Sequence, residues 1–159
     1  MSAIGVTGHQ NIPAGALAYV TAGIRDLLGA FEPPVTGVGS LAAGADQLFA
    51  AVVADLGGRL DVVVPCDGYD AAFGTPADAR RYRRLLSAAA SVEWLPFPAP
   101  SEEAFMAAGI RVVERCSVLL AVWDGRPAAG RGGTADVVAH ARSLGRPVHV
   151  LWPAGVTRS

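Results

Sequence analysis

A glycine-rich segment between an apolar run and a helical pattern is the part of this sequence best suited to bind an anion. The segment VLLAVWDGRPAAGRGGTADVVAHA spans residues 118–141, and its apolar run ends at Asp124. Glycines let the backbone approach a bound group closely, and the first amides of a helix have no partner within it. The segment therefore predicts a phosphate-binding loop made of Gly125, Gly130, Arg131, Gly132, Gly133 and the hydroxyl of Thr134.

The same residues also admit structural roles. Gly132 and Gly133 are compatible with a tight strand-to-helix turn in which Thr134 caps the helix. Asp124 either accepts backbone hydrogen bonds within its loop or holds the hydroxyls of a ribose. Asp136, near the start of the helix, gains about 0.3 to 1 kcal/mol from the helix dipole without any function, which is the reading we favour for it.

Two other polar loops follow earlier apolar runs. The first, TGHQN, contains Gly8, His9 and Gln10, and the second, GVGSLAAGAD, contains Ser40, Gly44 and Asp46. An imidazole beside a glycine either contacts a phosphate or base or holds the loop closed, and we favour the contact. Ser40 is predicted to contact a ligand hydroxyl, whereas Asp46 is also explained by the helix dipole. We predict that these six residues contribute to the ligand site.

Aromatic and basic residues follow the third apolar run. Tyr69 and Phe73 come after CDG and form either a lid that stacks on a base or part of the core. The segment ARRYRRLL places arginines at 80, 81, 83 and 84, on nearly all sides of one helical turn. They cannot all face one ligand, so we expect a solvated face, with one or two arginines able to reach a phosphate of a neighbouring subunit.

Short apolar runs alternate with helical patterns along the chain, which predicts an α/β fold: an open, largely parallel sheet with helices on both faces. Strands are expected at 3–6, 35–38, 60–64, 92–95, 118–123 and 148–152. Helices are expected at 14–30, 46–56, 77–90, 102–115 and 135–144. Right-handed crossovers give the strand order 3-2-1, and the fifth strand then lies against the first. Ligands bind at such a switch point, where the polar loops converge.

Composition narrows the possible classes of protein. The 159 residues are 52% hydrophobic and 17% charged, which suits one globular domain over residues 1–159. We expect a cytoplasmic protein, because the start lacks a signal-like pattern and no apolar run is long enough to span a membrane. Cys66 and Cys116 are expected to be reduced, and no metal or cofactor is predicted. All 13 basic residues are arginine, so a lysine-dependent Walker loop and Schiff-base chemistry are excluded.

Four segments, in this order, resemble the Rossmann-like SLOG superfamily: TGHQ, SLAAGADQLFA, VVVPCDGYDAAF and AVWDGRPAAGRGGTADVVAHA. This group includes the LOG-type cytokinin-activating phosphoribohydrolases, the molybdenum-cofactor carriers and the DNA-processing protein A. The second segment is similar to the glycine and aspartate segment of the DNA-processing protein, and the last to the glycine-threonine signature of the phosphoribohydrolases. The resemblance implies a nucleotide-like phosphorylated ligand and a homodimer.

The sequence departs from the phosphoribohydrolase signature PGGxGTxxE. Val137 occupies the place of the glutamate, and Asp136 lies one residue earlier, rotated by about 100° on the helix. The arginine of that family falls near Ala108, with Arg111 one turn on. The helix at 102–115 packs either on its own sheet or across a dimer interface.

Three hypotheses follow from the sequence. The first is a sensor or carrier that binds a nucleotide or a nucleotide-derived ligand. The second is a hydrolase of nucleotide N-glycosidic bonds acting on nucleoside 5'-monophosphates, with Asp124, Asp46 and Asp136 as candidate catalytic residues. The third is a single-stranded DNA-binding protein, which a net charge of −1 disfavours.

Overall fold

The computed structural model describes residues 3–127 and 133–156. In this part of the chain six parallel strands form one open sheet, in the order β4-β3-β2-β1-β5-β6. The strands are β1 (Ala3–Gly8), β2 (Thr36–Gly39), β3 (Arg59–Val64), β4 (Ser91–Trp94), β5 (Val118–Val122) and β6 (Val148–Leu151).

Helices cover both faces of the sheet. They are α1 (Leu17–Gly29), α2 (Ala45–Asp55), α3 (Pro76–Ser87), α4 (Glu102–Arg115) and α5 (Thr134–Ser143), with short 3-10 helices at Ala14–Ala16 and Tyr69–Ala72. Helices α1, α2 and α3 pack in sequence along one face, and α4 and α5 pack together on the other. This three-layer arrangement confirms the predicted α/β fold.

Local sequence explains where the helices begin and how they pack. The hydroxyl of Thr75 accepts a hydrogen bond from the amide of Asp78 at the start of α3, where Pro76 is the first helical residue. The hydroxyl of Ser101 caps α4 in the same way. Alternate residues of the strands enter the two core layers, so that β3 sends Val62 to the side of α2 and α3, and its neighbour Val63 to the side of α4.

The sequence-based boundaries differ from the structure by a few residues at most. The predicted helix at 14–30 is a 3-10 turn followed by α1, and the predicted helix at 77–90 ends earlier, at Ser87. The 3-10 helix at Tyr69–Ala72 was not predicted, because its four residues are too few to show a hydrophobic period.

The switch point is confirmed between β1 and β5. These strands are parallel neighbours, with Gly8 opposite Val122 at their carboxyl ends, although consecutive crossovers connect β1 to β2 and β5 to β6. The loop after each strand and the first turn of α2, α4 and α5 therefore meet at one edge of the sheet. Among the helices described, none has the length and apolar character needed to cross a membrane.

Candidate functional site

An open cavity of about 480 Å³ lies at the carboxyl edge of the sheet. Its volume falls within the range of roughly 300 to 1,000 Å³ that small-molecule sites occupy. Its walls come from the loops after β1, β2 and β3, from the starts of α2 and α5 and from one side of α4. The predicted site residues that line it are Gly8, His9, Gln10, Ser40, Asp46, Tyr69, Gly133 and Thr134.

The amino terminus of α5 forms one wall and has free hydrogen-bond donors. Gly133 occupies the N-cap position with φ −75° and ψ 171°, and it has no side chain to cap the helix. In the described ranges, no acceptor pairs with the amides of Thr134, Ala135 and Asp136. Thr134 is the first helical residue rather than the cap, is buried, and turns to the cavity. The predicted loop residues Gly130, Arg131 and Gly132 lie outside the described residues.

The start of α2 forms a second wall, and the amides on either side of Asp46, those of Ala45 and Gln47, already have acceptors. The amide of Ser40 donates to Oδ2 of Asp46 at 3.1 Å, and the amide of Ala45 donates to the carbonyl of His9 at 3.1 Å. Asp46 is 8% exposed. Burial raises the pKa of its carboxyl to about 7, although the amides of Ser40 and Ala42 act in the opposite direction. An acid that titrates near neutrality therefore faces the cavity.

Gly44 allows the first two loops to touch. Its φ is +80°, in the left-handed region, and an added Cβ would lie 2.5 Å from the carbonyl oxygen of His9 and closer still to that of Gln10. Gly44 itself does not line the cavity. It fixes the position of Asp46 beside the loop after β1.

His9 and Asp124 connect the ends of β1 and β5. The amide of Asp124 donates to Nε2 of His9 at 3.0 Å, so this nitrogen is an acceptor, and Oδ1 of Asp124 lies 3.2 Å from it. The same Oδ1 accepts the amide of Arg126, and the ring of His9 packs edge-on against Trp152. The side chains of both residues are almost fully buried. Asp124 and the adjacent Gly125 do not line the cavity.

An aromatic cluster forms the wall after β3. Tyr69 contacts Phe73, Tyr82 and Phe105, and Phe73 stacks on Tyr82 with ring centroids 5.0 Å apart. Tyr69, Phe73 and Phe105 line the cavity while they also belong to the core. Burial raises the pKa of the Tyr69 hydroxyl well above its usual value, and the nearby Asp46 raises it further. The core alternative is therefore confirmed, and the same aromatic side chains also line the cavity.

The arginines of the described residues do not line this cavity. Nε of Arg111 donates to both carboxylate oxygens of Glu93 at 3.0 Å, which holds Arg111 at the sheet rather than at the cavity. Ala108 and Gly109, near the position of the family arginine, do line it. In α3, Arg81 pairs with Asp78. The inward face of α4 is buried against the chain's own sheet, as the simpler of the two alternatives expects.

Sequence reasoning missed the part of the wall that comes from α4 and the start of the loop after β3. Glu102, Phe105, Ala108 and Gly109 line the cavity, as does Pro65. Glu102 follows the Ser101 cap in the first turn of α4. In a βα unit this turn lies at the carboxyl edge of the sheet, so the cap was a signal that could have located Glu102. Asp136 does not line the cavity, and Asp46 is the one candidate catalytic residue among the described residues that does.

No family model and no curated protein matches the sequence. Solved structures do match the fold. The DNA processing protein A of Streptococcus pneumoniae is 17% identical with a TM-score of 0.71, over 98% of this chain and 52% of that protein. The DNA processing protein A of Helicobacter pylori, solved to explain its single-stranded DNA binding mode, is 14% identical with a TM-score of 0.71. The match covers 99% of this chain and 68% of that protein. A molybdenum cofactor binding protein from Rippkaea orientalis is 16% identical with a TM-score of 0.61, and the match covers 94% of this chain and 75% of that protein.

This chain therefore spans about half the length of the pneumococcal protein and about two thirds of the Helicobacter protein. At these identities the likeness concerns the fold. Two of the three groups that the sequence resembles are among these matches. The Rossmann-like fold that the sequence predicts is therefore confirmed, and these proteins share it.

Proposed function

We propose that the cavity binds the phosphate of a nucleotide or a nucleotide-derived molecule and that the protein acts as a sensor or carrier of this ligand. The observation that supports this most directly is the uncapped start of α5. The amides of Thr134, Ala135 and Asp136 have no acceptor in the described residues, and Gly133 and Thr134 lie on the cavity wall. An anion is the group that such a helix start favours.

The described part of the wall supports a phosphate bound by backbone amides. Hydrogen bonds from amides to a charged group contribute about 1.5 to 3 kcal/mol each, and the helix dipole adds about 0.3 to 1 kcal/mol. Among the described residues of the wall there is no arginine, so the amides and the dipole would supply the attraction. On the opposite side, the aromatic wall of Tyr69, Phe73 and Phe105 offers an apolar surface for a base.

Calorimetric titration with the four common nucleoside 5'-monophosphates, their nucleosides and inorganic phosphate tests this proposal. We expect at least one monophosphate to bind, and its nucleoside to bind at least tenfold more weakly. Binding of a nucleoside as tight as that of its monophosphate would contradict the phosphate role. No binding of any phosphorylated compound would contradict the proposal as a whole.

Hydrolysis of the N-glycosidic bond is a second candidate, favoured by one observation. Asp46 is a buried carboxyl on the cavity wall, and burial raises its pKa to about 7, a value suited to general acid or base chemistry. The arginine of the phosphoribohydrolases has no counterpart on the described wall, because Ala108 and Gly109 lie there and Arg111 binds Glu93.

Chromatography of each monophosphate after incubation with the protein tests the enzyme candidate. Release of free base that Asp46→Asn abolishes would establish hydrolysis in place of a carrier. Recovery of intact monophosphate would contradict hydrolysis and would be consistent with binding only. A strong, salt-sensitive shift of single-stranded DNA, with no binding of monophosphates, would instead favour the third hypothesis and would contradict the first two.

A further inference from the structure

Granted the nucleotide site proposed above, we infer that Asp46 binds the ribose hydroxyls of the ligand and makes the site selective for ribonucleotides over deoxyribonucleotides. The inference assumes the proposed function, but the observations that support it are different. These are the order of the walls along the sheet edge and the hydrogen bonding of one buried carboxyl.

The order of the strands fixes the order of the walls. The sheet runs β3-β2-β1-β5, so the open start of α5 follows β5, Asp46 follows β2, and the aromatic wall follows β3. Neighbouring strands lie about 4.8 Å apart, which separates β5 from β2 by about 10 Å and β5 from β3 by about 14 Å. A nucleotide has the same order, with the sugar between phosphate and base. A phosphate on α5 and a base on the aromatic wall therefore leave the sugar beside Asp46.

The carboxyl of Asp46 still has room to accept hydrogen bonds. An ionised carboxylate has about four acceptor sites; the Ser40 amide donates to Oδ2 at 3.1 Å, and the Ala42 amide also stabilises the charged form. The raised pKa agrees with this, because the cost of burial outweighs the stabilisation by the backbone amides. Donors from a ligand would complete the bonding of this group.

The groups around Asp46 favour neutral donors over a second anion. Tyr69 faces it from the 3-10 helix, His9 lies on the loop after β1, and Glu102 lies on α4, and all three line the same cavity. In the described residues no arginine joins them there. A phosphate at this position would therefore meet carboxyls with no cation to compensate, whereas vicinal hydroxyls donate to a carboxylate directly. At the adjacent start of α2, the amides of Ala45 and Gln47 already donate to the carbonyls of His9 and Ala42.

The experiment compares AMP with 2'-deoxy-AMP and 3'-deoxy-AMP by calorimetry at pH 8. Loss of one hydrogen bond to a charged group predicts that at least one deoxy compound binds about tenfold or more weakly than AMP. In Asp46→Asn, which keeps the size of the side chain, we expect this ratio to fall to about threefold or less. Asp78→Asn is the matched control, because it also removes a carboxylate from the first turn of a helix but does not line the cavity. It should keep the ratio of the native protein.

A second measurement keeps the inference testable if Asp46→Asn does not fold. Because the ionised carboxyl is the acceptor and its pKa is about 7, the preference for AMP over the deoxy compound should be larger at pH 8 than at pH 6. Equal binding of AMP and both deoxy compounds overturns the inference while the proposed function stands. A ratio that persists in folded Asp46→Asn, or selection of one base without selection of the sugar, also overturns it. If no monophosphate binds, both proposals fail together.

Discussion

Replacing Gly133 by aspartate should close the proposed phosphate site without damage to the fold. Gly133 is the N-cap residue of α5, and its φ of −75° and ψ of 171° lie in the extended region that N-cap residues adopt. An aspartate there can accept hydrogen bonds from the amides of Ala135 and Asp136, which donate to no acceptor within the described ranges. The variant would thus supply its own anion where the ligand phosphate is proposed to bind.

The expected magnitudes have opposite signs in the free and ligand-bound proteins. Capping contributes a few tenths of a kcal/mol over glycine, and a negative charge at the helix start adds about 0.3 to 1 kcal/mol. For a protein of this size 1 kcal/mol corresponds to about 2 to 4 °C, so the free variant should melt about 1 to 4 °C higher. Ligand at 100 times its Kd stabilises the native protein by about 2.7 kcal/mol, or about 5 to 11 °C. The variant should lose nearly all of this second shift.

Differential scanning fluorimetry, with and without the monophosphate that binds best, measures both effects. Gly133→Asn is the matched control, because asparagine caps a helix about as well but carries no charge. It should keep more of the ligand shift than Gly133→Asp does. A full ligand shift in the aspartate variant would refute the assignment of the phosphate to α5. A free variant that melts several degrees lower would refute the N-cap geometry on which the argument depends.

Three further predictions concern the residues that hold the cavity together. Burial raises the pKa of Asp46 from 3.8 to about 7, so between these values the folded state retains a proton that the unfolded state releases. The free energy of unfolding should therefore fall as the pH rises from about 4 to about 7. Chemical unfolding of Asp46→Asn should show a smaller fall over the same range. Gly44→Ala should cost about 1 to 3 kcal/mol in urea unfolding, since a Cβ there meets two carbonyls at positive φ, whereas Gly15→Ala has open space and should be near neutral. His9→Phe removes the acceptor of the Asp124 amide and should cost about 1 to 3 kcal/mol, and an unchanged unfolding midpoint would contradict that role.

The fold was predictable because its signals are local and repeated. Each strand is an apolar run with turn residues after it, and each helix has an apolar face, so the alternation determines the class and the crossover rule determines the order. The fifth strand could be assigned beside the first on these grounds, and the structure pairs Gly8 with Val122. Boundaries were less accurate, because caps such as Thr75 and Ser101 act through single hydrogen bonds that a hydrophobic pattern does not record.

The candidate site was only partly predictable, because sequence does not tell which way a side chain turns. Asp124 and Asp46 look equivalent in the sequence, each a carboxylate near the end of an apolar run. In the structure Asp124 turns back onto the amide of Arg126 and lies against His9, whereas Asp46 lines the cavity. The α4 wall escaped prediction for a related reason. Phe105 reaches the site through a crossover from the far edge strand β4, a tertiary relation that no spacing in the sequence encodes.

Two helix starts in the same cavity differ in a way that bears on the charge of the ligand. At α2 the loop folds back on its own carboxylate, with the Ser40 amide on Asp46 and the Ala45 amide on His9. At α5 the cap is a glycine, and the amides of the first turn donate to no described acceptor. The cavity thus combines an internal anion at one helix start with an open position for an anion at the other. A ligand with one phosphate at a single end fits this asymmetry, whereas a ligand with phosphates at both ends would place one of them against the carboxyl of Asp46.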